Sequence, residues 1–463
     1  MDGSRPELSR ISKLFVDRDQ ATTEAALARR KAFVVTLVCG DDVAGSATLQ
    51  LAVLTAARIA SRCFPGAVRV AVSPNLAQAP LLAGPPDNTT FGQSLFEILG
   101  TTDCVDAGGE ATGGLIFGNA PSSKGALRVT FDGWIAKIGP AAKTERLAEH
   151  PYCSLAGVLA AALALSELFL VFAGLSVEAT RRDVGLSLWR PDLAIDHPEA
   201  LGVPVEYLPR ELWVLGLGHL GNAYLWSLAT LPFQQVKDVT FYLCDFDKIE
   251  PENAETGVLF TADLEGCLKT RACSGWLERL GFQTRLVERR FDSSFRRHRT
   301  EPALALCGFD RNPARRDLAT AEFLRVVESG LGGTADNFDT IRLNALPNLR
   351  TVAELWPDLS PGEEAKRAAQ QEHIARNNKG YGQLGIDECG RYELAGKSVA
   401  VPFVGVTAAT LVVAEVLRLA HEGPAFHGIK LSLATPTVCM ALANGLYPAQ
   451  ALAGLKFVGA KTS

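Results

Sequence analysis

Leu212-Trp213-Val214-Leu215-Gly216-Leu217-Gly218-His219-Leu220-Gly221 is the stretch whose reading decides the fold. Four apolar residues read as a buried strand, three glycines follow at G-x-G-x-x-G spacing, and Asn222 to Leu231 has the apolar pattern of a helix. In that order the three glycines serve, in turn, a tight turn, close approach of phosphate to the backbone, and close packing of the helix on the strand. The helix start then presents unpaired N–H groups and the positive end of its dipole to an anion. Further on, Val239 to Leu243 reads as a second strand. Asp245 stands just past its end, where a carboxylate hydrogen-bonds a ribose hydroxyl. The stretch predicts a nucleotide-binding α/β unit.

Working outward, a helix near Leu264 to Leu280 and strands at Thr284 to Val287 and Ala303 to Cys307 continue the alternation, and a helix from Ala314 to Glu328 is expected to complete it. The chain upstream opens alike. Phe33 to Val38 reads as a strand, Ser46 to Cys63 as a helix and Val68 to Val72 as a strand. Here the turn is Gly40-Asp41-Asp42-Val43-Ala44-Gly45, whose aspartates would repel phosphate, and the second strand ends in Ser73-Pro74 in place of a carboxylate. Residues 73 to 125, rich in Pro, Gly and Asn, read as loops with one short helix near Ser94 to Leu99.

A second correspondence links the two parts. Gly157, Glu167 ten residues on and Leu186-Ser187-Leu188 are echoed by Gly405, Glu415 and Leu431-Ser432-Leu433. The fold class expected is α/β, with two Rossmann-like doubly wound halves. Residues 1–205 would be an inactive copy, and 206–463 the nucleotide-binding half.

The chain's 463 residues give room for two such units, and 47% hydrophobic with 21% charged residues is ordinary for a globular protein. A net charge of -5 gives no footprint for nucleic acid or an anionic membrane. The start lacks an apolar leader. Leu155 to Leu175 is long enough to cross a bilayer, but with Glu167 near its middle it reads as a buried core helix. None of the ten cysteines forms a C-x-x-C pair, so no zinc site is expected, and scattered reduced thiols suit a cytoplasmic protein.

From Asp245 onward the residues depart from a dehydrogenase. Asp245-Phe246-Asp247-Lys248-Ile249-Glu250-Pro251-Glu252-Asn253 resembles the D-x-D-x-V-x-x-x-N signature of the ThiF and ubiquitin-activating-enzyme superfamily. Lys269 stands where that family keeps a lysine on the ATP phosphates, and Asp310-Arg311-Asn312-Pro313-Ala314-Arg315 is similar to its D-N-x-x-x-R, whose aspartate lies near nucleotide and magnesium. Glu328 to Gly333 resembles the strand and loop that follow, and Val401-Pro402-Phe403-Val404-Gly405 the entry to the helix after the family's crossover loop, here about residues 355–400. The resemblance covers about 206 to 440.

The resemblance implies ATP and Mg²⁺ as cofactors, with Gly216, Gly218, Gly221, Asp245, Asn253, Lys269 and Asp310 at the nucleotide and Asp310 on the metal. It further implies adenylation of the C-terminal carboxylate of a ubiquitin-like protein, then a thioester on a crossover cysteine and hand-over to a conjugating enzyme. Cys389 is the only cysteine in that segment, between the charged helix expected over Glu363 to Arg376 and Val401; Gly380 to Gly390 carries enough glycine for a mobile loop. The class the resemblance implies is a compact bacterial activator of a ubiquitin-like protein, of the sort encoded in antiphage operons. The family's x-x-R-Q after its asparagine is missing, since Asn253 is followed by Ala254-Glu255-Thr256-Gly257; Arg10 or Arg18 of the polar lead-in is the substitute the resemblance suggests. Lys269 as a solvated helix lysine and Asp310 as a helix N-cap stay open, as do the role of Asp247 and the oligomeric state. So do adenylation of a sulfur-carrier protein, a peptide or a tRNA base without a thioester, an NAD-dependent oxidoreductase, and a scaffold on a dead nucleotide fold.

Overall fold

The computed structural model describes residues 9–65, 68–83, 89–100, 112–384, 386–436, 438–446 and 454–461. Cys104 and Gly385 lie outside them. The chain enters through α1 (Lys13–Asp19) and α2 (Thr23–Ala32), the latter capped by the Thr22 side chain. A first sheet is then laid down with its helices: β1 (Val35–Cys39), α3 (Ala47–Cys63), β2 (Val68–Ala71), α4 (Pro74–Ala77), α5 (Phe91–Leu99), β3 (Gly113–Phe117), β4 (Leu127–Asp132), β5 (Ile135–Pro140), α6 (Leu155–Phe172) and β6 (Val184–Ser187). Its order is β2-β1-β3-β4-β5-β6, parallel from β2 to β4 and antiparallel from there to β6.

After β7 (Tyr207–Pro209), a second sheet begins with β8 (Glu211–Leu215), α7 (His219–Ala229), β9 (Thr240–Cys244), α8 (Pro251–Thr256), α9 (Lys269–Arg279), β10 (Gln283–Val287) and β11 (Leu304–Cys307). It continues with α10 (Asn312–Arg316), β12 (Arg325–Leu331) and β13 (Thr340–Leu346). The crossover segment is α11 (Val352–Leu355), α12 (Pro361–Asn377), α13 (Lys379–Gly382) and α14 (Glu388–Gly396). Then come α15 (Pro402–Ala420), β14 (Pro424–Ser432), β15 (Cys439–Leu446) and β16 (Phe457–Gly459), which pairs with β7. The order of the second sheet is β10-β9-β8-β11-β12-β13-β14-β15, parallel as far as β12 and antiparallel beyond. In the first sheet β1 lies between β2 and β3, and in the second β8 lies between β9 and β11. The chain reverses its direction of travel there, and crevices at strand ends open at such switch points.

Helices α3 and α6 of one sheet pack against α7 and α15 of the other, and one apolar core runs through both. Phe169 of α6 meets Phe403 of α15 at 5.3 Å between ring centroids, and Trp226 of α7 donates its Nε1–H to Thr55 of α3 at 3.0 Å. Among the described residues two helices, α6 and α15, are long and apolar enough to cross a membrane, and 94% of an 18-residue stretch of each is buried inside the protein. Their all-round hydrophobicity reflects burial on every side.

Three expectations need correction. Residues 73 to 125 hold a strand, β3, between β1 and β4, as well as α4 and α5. Ala314 to Glu328 is not one helix: α10 ends at Arg316, and Arg325 onward is β12, where Val326 and Val327 pair with β11 and β13. Local helix-forming composition there yields to the demand of a central strand position. The crossover segment is mostly helical, and Cys389 sits in the first turn of α14, capped by Asp387, rather than on a glycine loop.

Candidate functional site

The glycine loop occupies the switch point, between β8 and α7, with β9 on one side and β11 on the other. Gly216 turns the chain with φ 78°, a conformation that L side chains avoid. At Gly221 a Cβ would meet the Gly216 carbonyl oxygen at 2.0 Å, so only glycine lets α7 start this close to the strand. At Gly218 a Cβ would meet nothing within 4 Å: its backbone faces open space at the N-terminus of an 11-residue helix.

The residues singled out from the sequence gather at the same strand ends. Asp245, just past β9, accepts from the Leu217 amide at 2.6 Å and the Asp247 amide at 2.8 Å. Burial pushes its carboxyl up, and these amides with the Lys269 charge oppose that shift. Lys269 opens α9; its side chain is 11% exposed and pairs with Asp247 at 3.3 Å, so it is not a solvated helix lysine. Asn253 lies in α8, its Oδ1 accepting from the Glu250 amide at 2.9 Å. Asp310 follows β11, is exposed, and makes no hydrogen bond or ion pair among the described residues. The N-cap of α10 is Arg311, so Asp310 does not cap that helix.

Asp310 is held by the chain on its inner side. Arg315 donates to the Phe309 carbonyl at 2.9 Å and pairs at 2.8 Å with the wholly buried Glu328, which also accepts from Asn344 at 3.1 Å. Among the described residues no group of three or more His, Cys, Asp or Glu is arranged to hold a metal ion. A lone carboxylate such as Asp310 suits Mg²⁺ where phosphates and water supply the other oxygens.

Of the two lead-in arginines, Arg10 is the one beside the loop. Its Nε donates to the Ser398 carbonyl, its Nη1 pairs with Glu252 of α8 at 3.4 Å, and its charge reaches His219 of the glycine loop. Arg18 instead pairs with Asp19 and donates to the Ala173 carbonyl at the end of α6. Burial, then Arg10, lowers the His219 pKa to about 4; the ring bonds the Val401 backbone, and its Nε2, packed on Gly405, has no hydrogen-bond partner among the described residues. The position of the missing motif arginine is Thr256, buried and donating to the Glu252 carbonyl at 3.1 Å.

Cys389 is exposed. Its helix α14 packs on α12, and Gln371 of α12 donates to the Tyr392 carbonyl at 2.7 Å. The end of the same segment returns to the site, where Lys397 pairs with Glu252 at 2.7 Å. The structure thus brings the glycine loop, Asp245, Lys269, Asn253 and Asp310 to the same strand ends and leaves Cys389 on the far end of α14. Sequence reading missed Glu252 and Lys397, because nothing local marks a charge pair 145 residues apart.

Residues 208–423 match the BilD C-terminal domain family and residues 34–188 the BilD N-terminal domain family. The bacterial E1-like protein BilD of Collimonas sp. (strain OK412) is 36% identical over 436 residues, 92% of each chain. Among solved structures, Escherichia coli MccB with MccA-N7isoASN is 16% identical with TM-score 0.35, over 52% of this chain and 66% of that one. The E. coli tRNA N6-threonylcarbamoyladenosine dehydratase TcdA in complex with AMP is 13% identical with TM-score 0.28, over 45% and 84%. On the two domain matches and the near full-length relative, the chain belongs to the family of bacterial E1-like BilD proteins.

Proposed function

We propose that the protein activates a ubiquitin-like protein, using ATP to adenylate its C-terminal carboxylate and then taking it onto Cys389 as a thioester for a conjugating enzyme. The observation that carries this reading is the open backbone of Gly218 at the switch point, with Lys269 and Arg10 drawn in around it from separate parts of the chain. Membership of an E1-like family supports it.

Two anions must meet, so the site needs fixed positive charge. In this reading the amides after Gly216 and the first turn of α7 take the phosphates, Lys269 and Arg10 balance their charge, and Asp245 and Asn253 orient the sugar. Asp310 would hold Mg²⁺, which supplies charge neutralisation at the phosphates. A carboxylate oxygen of the carrier attacks the α-phosphorus, the bond to the bridging oxygen breaks, and pyrophosphate leaves. The Cys389 thiolate would then attack the acyl carbon of the adenylate, expelling AMP.

The first half, residues 1–205, is read as an inactive partner of the second, residues 206–463. In its turn Asp42 pairs with Arg146 at 2.6 Å and accepts from the Asn119 amide at 2.9 Å, a fixed anion that argues against phosphate there. Two further correspondences support a duplication. Gly157 lies against Thr48 at the start of α3 as Gly405 lies against His219 at the start of α7. Buried Glu167 pairs with Arg182, and buried Glu415 with Arg325 and Arg418.

The test is ATP–pyrophosphate exchange by the full chain with a small ubiquitin-fold protein. Exchange that needs the carrier's free C-terminus is expected, and its absence with every carrier offered would overturn the reading. Exchange without a thiol adduct would support the second reading, adenylation alone, which the place of Cys389 at the end of α14 away from the Lys397–Glu252 contact favours.

A further inference from the structure

Every cation drawn to the candidate nucleotide site is held on a carboxylate. Lys269 rests on Asp247, and Glu252 holds two cations at once: Arg10 through Oε1 at 3.4 Å and Lys397 through Oε2 at 2.7 Å. The Glu252 side chain is only 16% exposed, and the cations come from opposite ends of the sequence. Half-buried cations meant for a polyanion need a counter-charge while the polyanion is away, because an unpaired charge withdrawn from water is costly. A carboxylate flanked by two cations is thus a stand-in for phosphate.

Lys397 is not a stray surface lysine. The next residue, Ser398, gives its carbonyl to Arg10, Val399 donates to the Gly333 carbonyl at 2.8 Å, and Val401 is bonded to the ring of His219 in the glycine loop. The stretch from Lys397 to Val401 therefore runs between Glu252 and the loop. The chain also lacks the motif arginine, with Thr256 buried in its place, so phosphate charge must be met from elsewhere.

We propose that Lys397 is a second phosphate-binding residue beside Arg10, held in the empty site by Glu252 and exchanged from that carboxylate onto the polyphosphate when nucleotide enters. This rests on the ATP reading above. It adds a cation carried by the crossover segment, so that nucleotide binding draws that segment onto the site. Glu252 acts as its holder and does not itself touch nucleotide.

The experiment is equilibrium binding of MgATP and of AMP to the full chain and to Lys397→Ala, Lys397→Arg and Glu252→Gln, with a thermal melt of each variant to check folding. Lys397→Ala is expected to weaken MgATP about tenfold or more, as loss of a charged hydrogen bond does, and to shift AMP far less. Lys397→Arg should recover most of the affinity. Glu252→Gln frees both cations and should bind MgATP at least as tightly as wild type. If Lys397 only tethers α14 to α8, Glu252→Gln and Lys397→Ala will weaken binding alike, and that result overturns the inference. Wild-type affinity in folded Lys397→Ala overturns it too. A wild-type chain that binds no MgATP sinks the ATP reading and this inference with it, whereas the other failures leave the reading standing.

Discussion

Leu217 and Asp245 are joined by a 2.6 Å hydrogen bond from the loop amide to the carboxylate at the end of the neighbouring strand. The bond ties the glycine loop to β9 and fixes the carboxylate at the crevice mouth. In the first sheet the tie recurs with its polarity exchanged: the carboxylate, Asp41, is in the turn, and the donor, the Ser73 hydroxyl at 2.5 Å, stands past the second strand. One arrangement puts the loop's amide on a carboxylate outside the loop. The other places a fixed negative charge in the turn itself.

Asp245→Asn is expected to loosen the loop. Asp245 accepts with both oxygens, from Leu217 and Asp247, whereas asparagine accepts with one and turns an NH₂ toward the other amide. A buried donor without an acceptor costs about 1–3 kcal/mol. A lower melting temperature and weaker MgATP binding should appear together, and an unchanged melt would show that the tie contributes nothing.

Two glycines of the loop should separate folding from ligand approach. Gly221→Ala sets a Cβ 2.0 Å from the Gly216 carbonyl, a backbone atom that cannot swing away, so severe destabilisation or failure to fold is expected. Gly218→Ala meets nothing within 4 Å and should melt like wild type while losing nucleotide affinity. Thermal melts and MgATP titration of both variants check this; normal affinity in Gly218→Ala would mean that no ligand approaches the loop there.

Lys269→Ala and Asp310→Ala are each expected to abolish adenylate formation in a folded protein. Among the described residues Asp310 makes no hydrogen bond or ion pair that its loss would break, and Lys269 loses one pair, to Asp247. Pyrophosphate exchange at the wild-type rate in either variant would refute its assignment.

How far the sequence carried depended on whether a feature was local. The β8–loop–α7 unit, Asp245 and the long helices α6 and α15 were legible because spacing and composition dictate them within about twenty residues. The strand β3, Gly113–Phe117, was not: a short glycine-led run resembles a loop until β1 and β4 flank it. Val326 and Val327 likewise read as part of a helix until β11 and β13 claim them. At the site, Arg10 stood alongside Arg18 with nothing in the sequence to choose between them. The choice lies in Glu252 and Ser398, partners 242 and 388 residues away.

Stability should fall as the solution is acidified below about pH 6.5, ahead of carboxylate titration. His421 donates from one ring nitrogen to the Leu417 carbonyl at 2.7 Å and with the other accepts the amides of Glu206, at 2.8 Å, and Tyr207, at 3.2 Å. Burial lowers its pKa, as burial and Arg10 lower that of His219 to about 4. Both folded values lie below the ordinary 6.5, so the unfolded chain binds protons that the folded one refuses, and acid favours unfolding. The stability is present above about pH 6.5 and lost as pH falls below it. His421→Gln keeps an acceptor without a titrating ring and should flatten the melting-temperature profile between about pH 6.5 and 5; an unaltered profile would remove His421 as its source.

Cys389 decides whether the reaction goes beyond the adenylate. Its thiol is exposed in the first turn of α14, whose far end leads to Lys397 on Glu252. At about 1.5 Å of rise per residue, the thiol lies about 12 Å along the helix from that contact. A thioester step therefore needs α14 to move or unwind, and few contacts oppose this: α14 buries no residue fully and is held mainly by α12. With ATP and a carrier whose C-terminus is free, an adduct sensitive to reducing agent is expected, and Cys389→Ala should lose it while keeping pyrophosphate exchange. A cross-link that clamps α14 to α12 should block the adduct and spare exchange. If Cys389→Ala still forms the adduct, another thiol is the acceptor. If wild type never forms it while exchange proceeds, the reaction ends at the adenylate, and the movement of α14 has no transfer to serve.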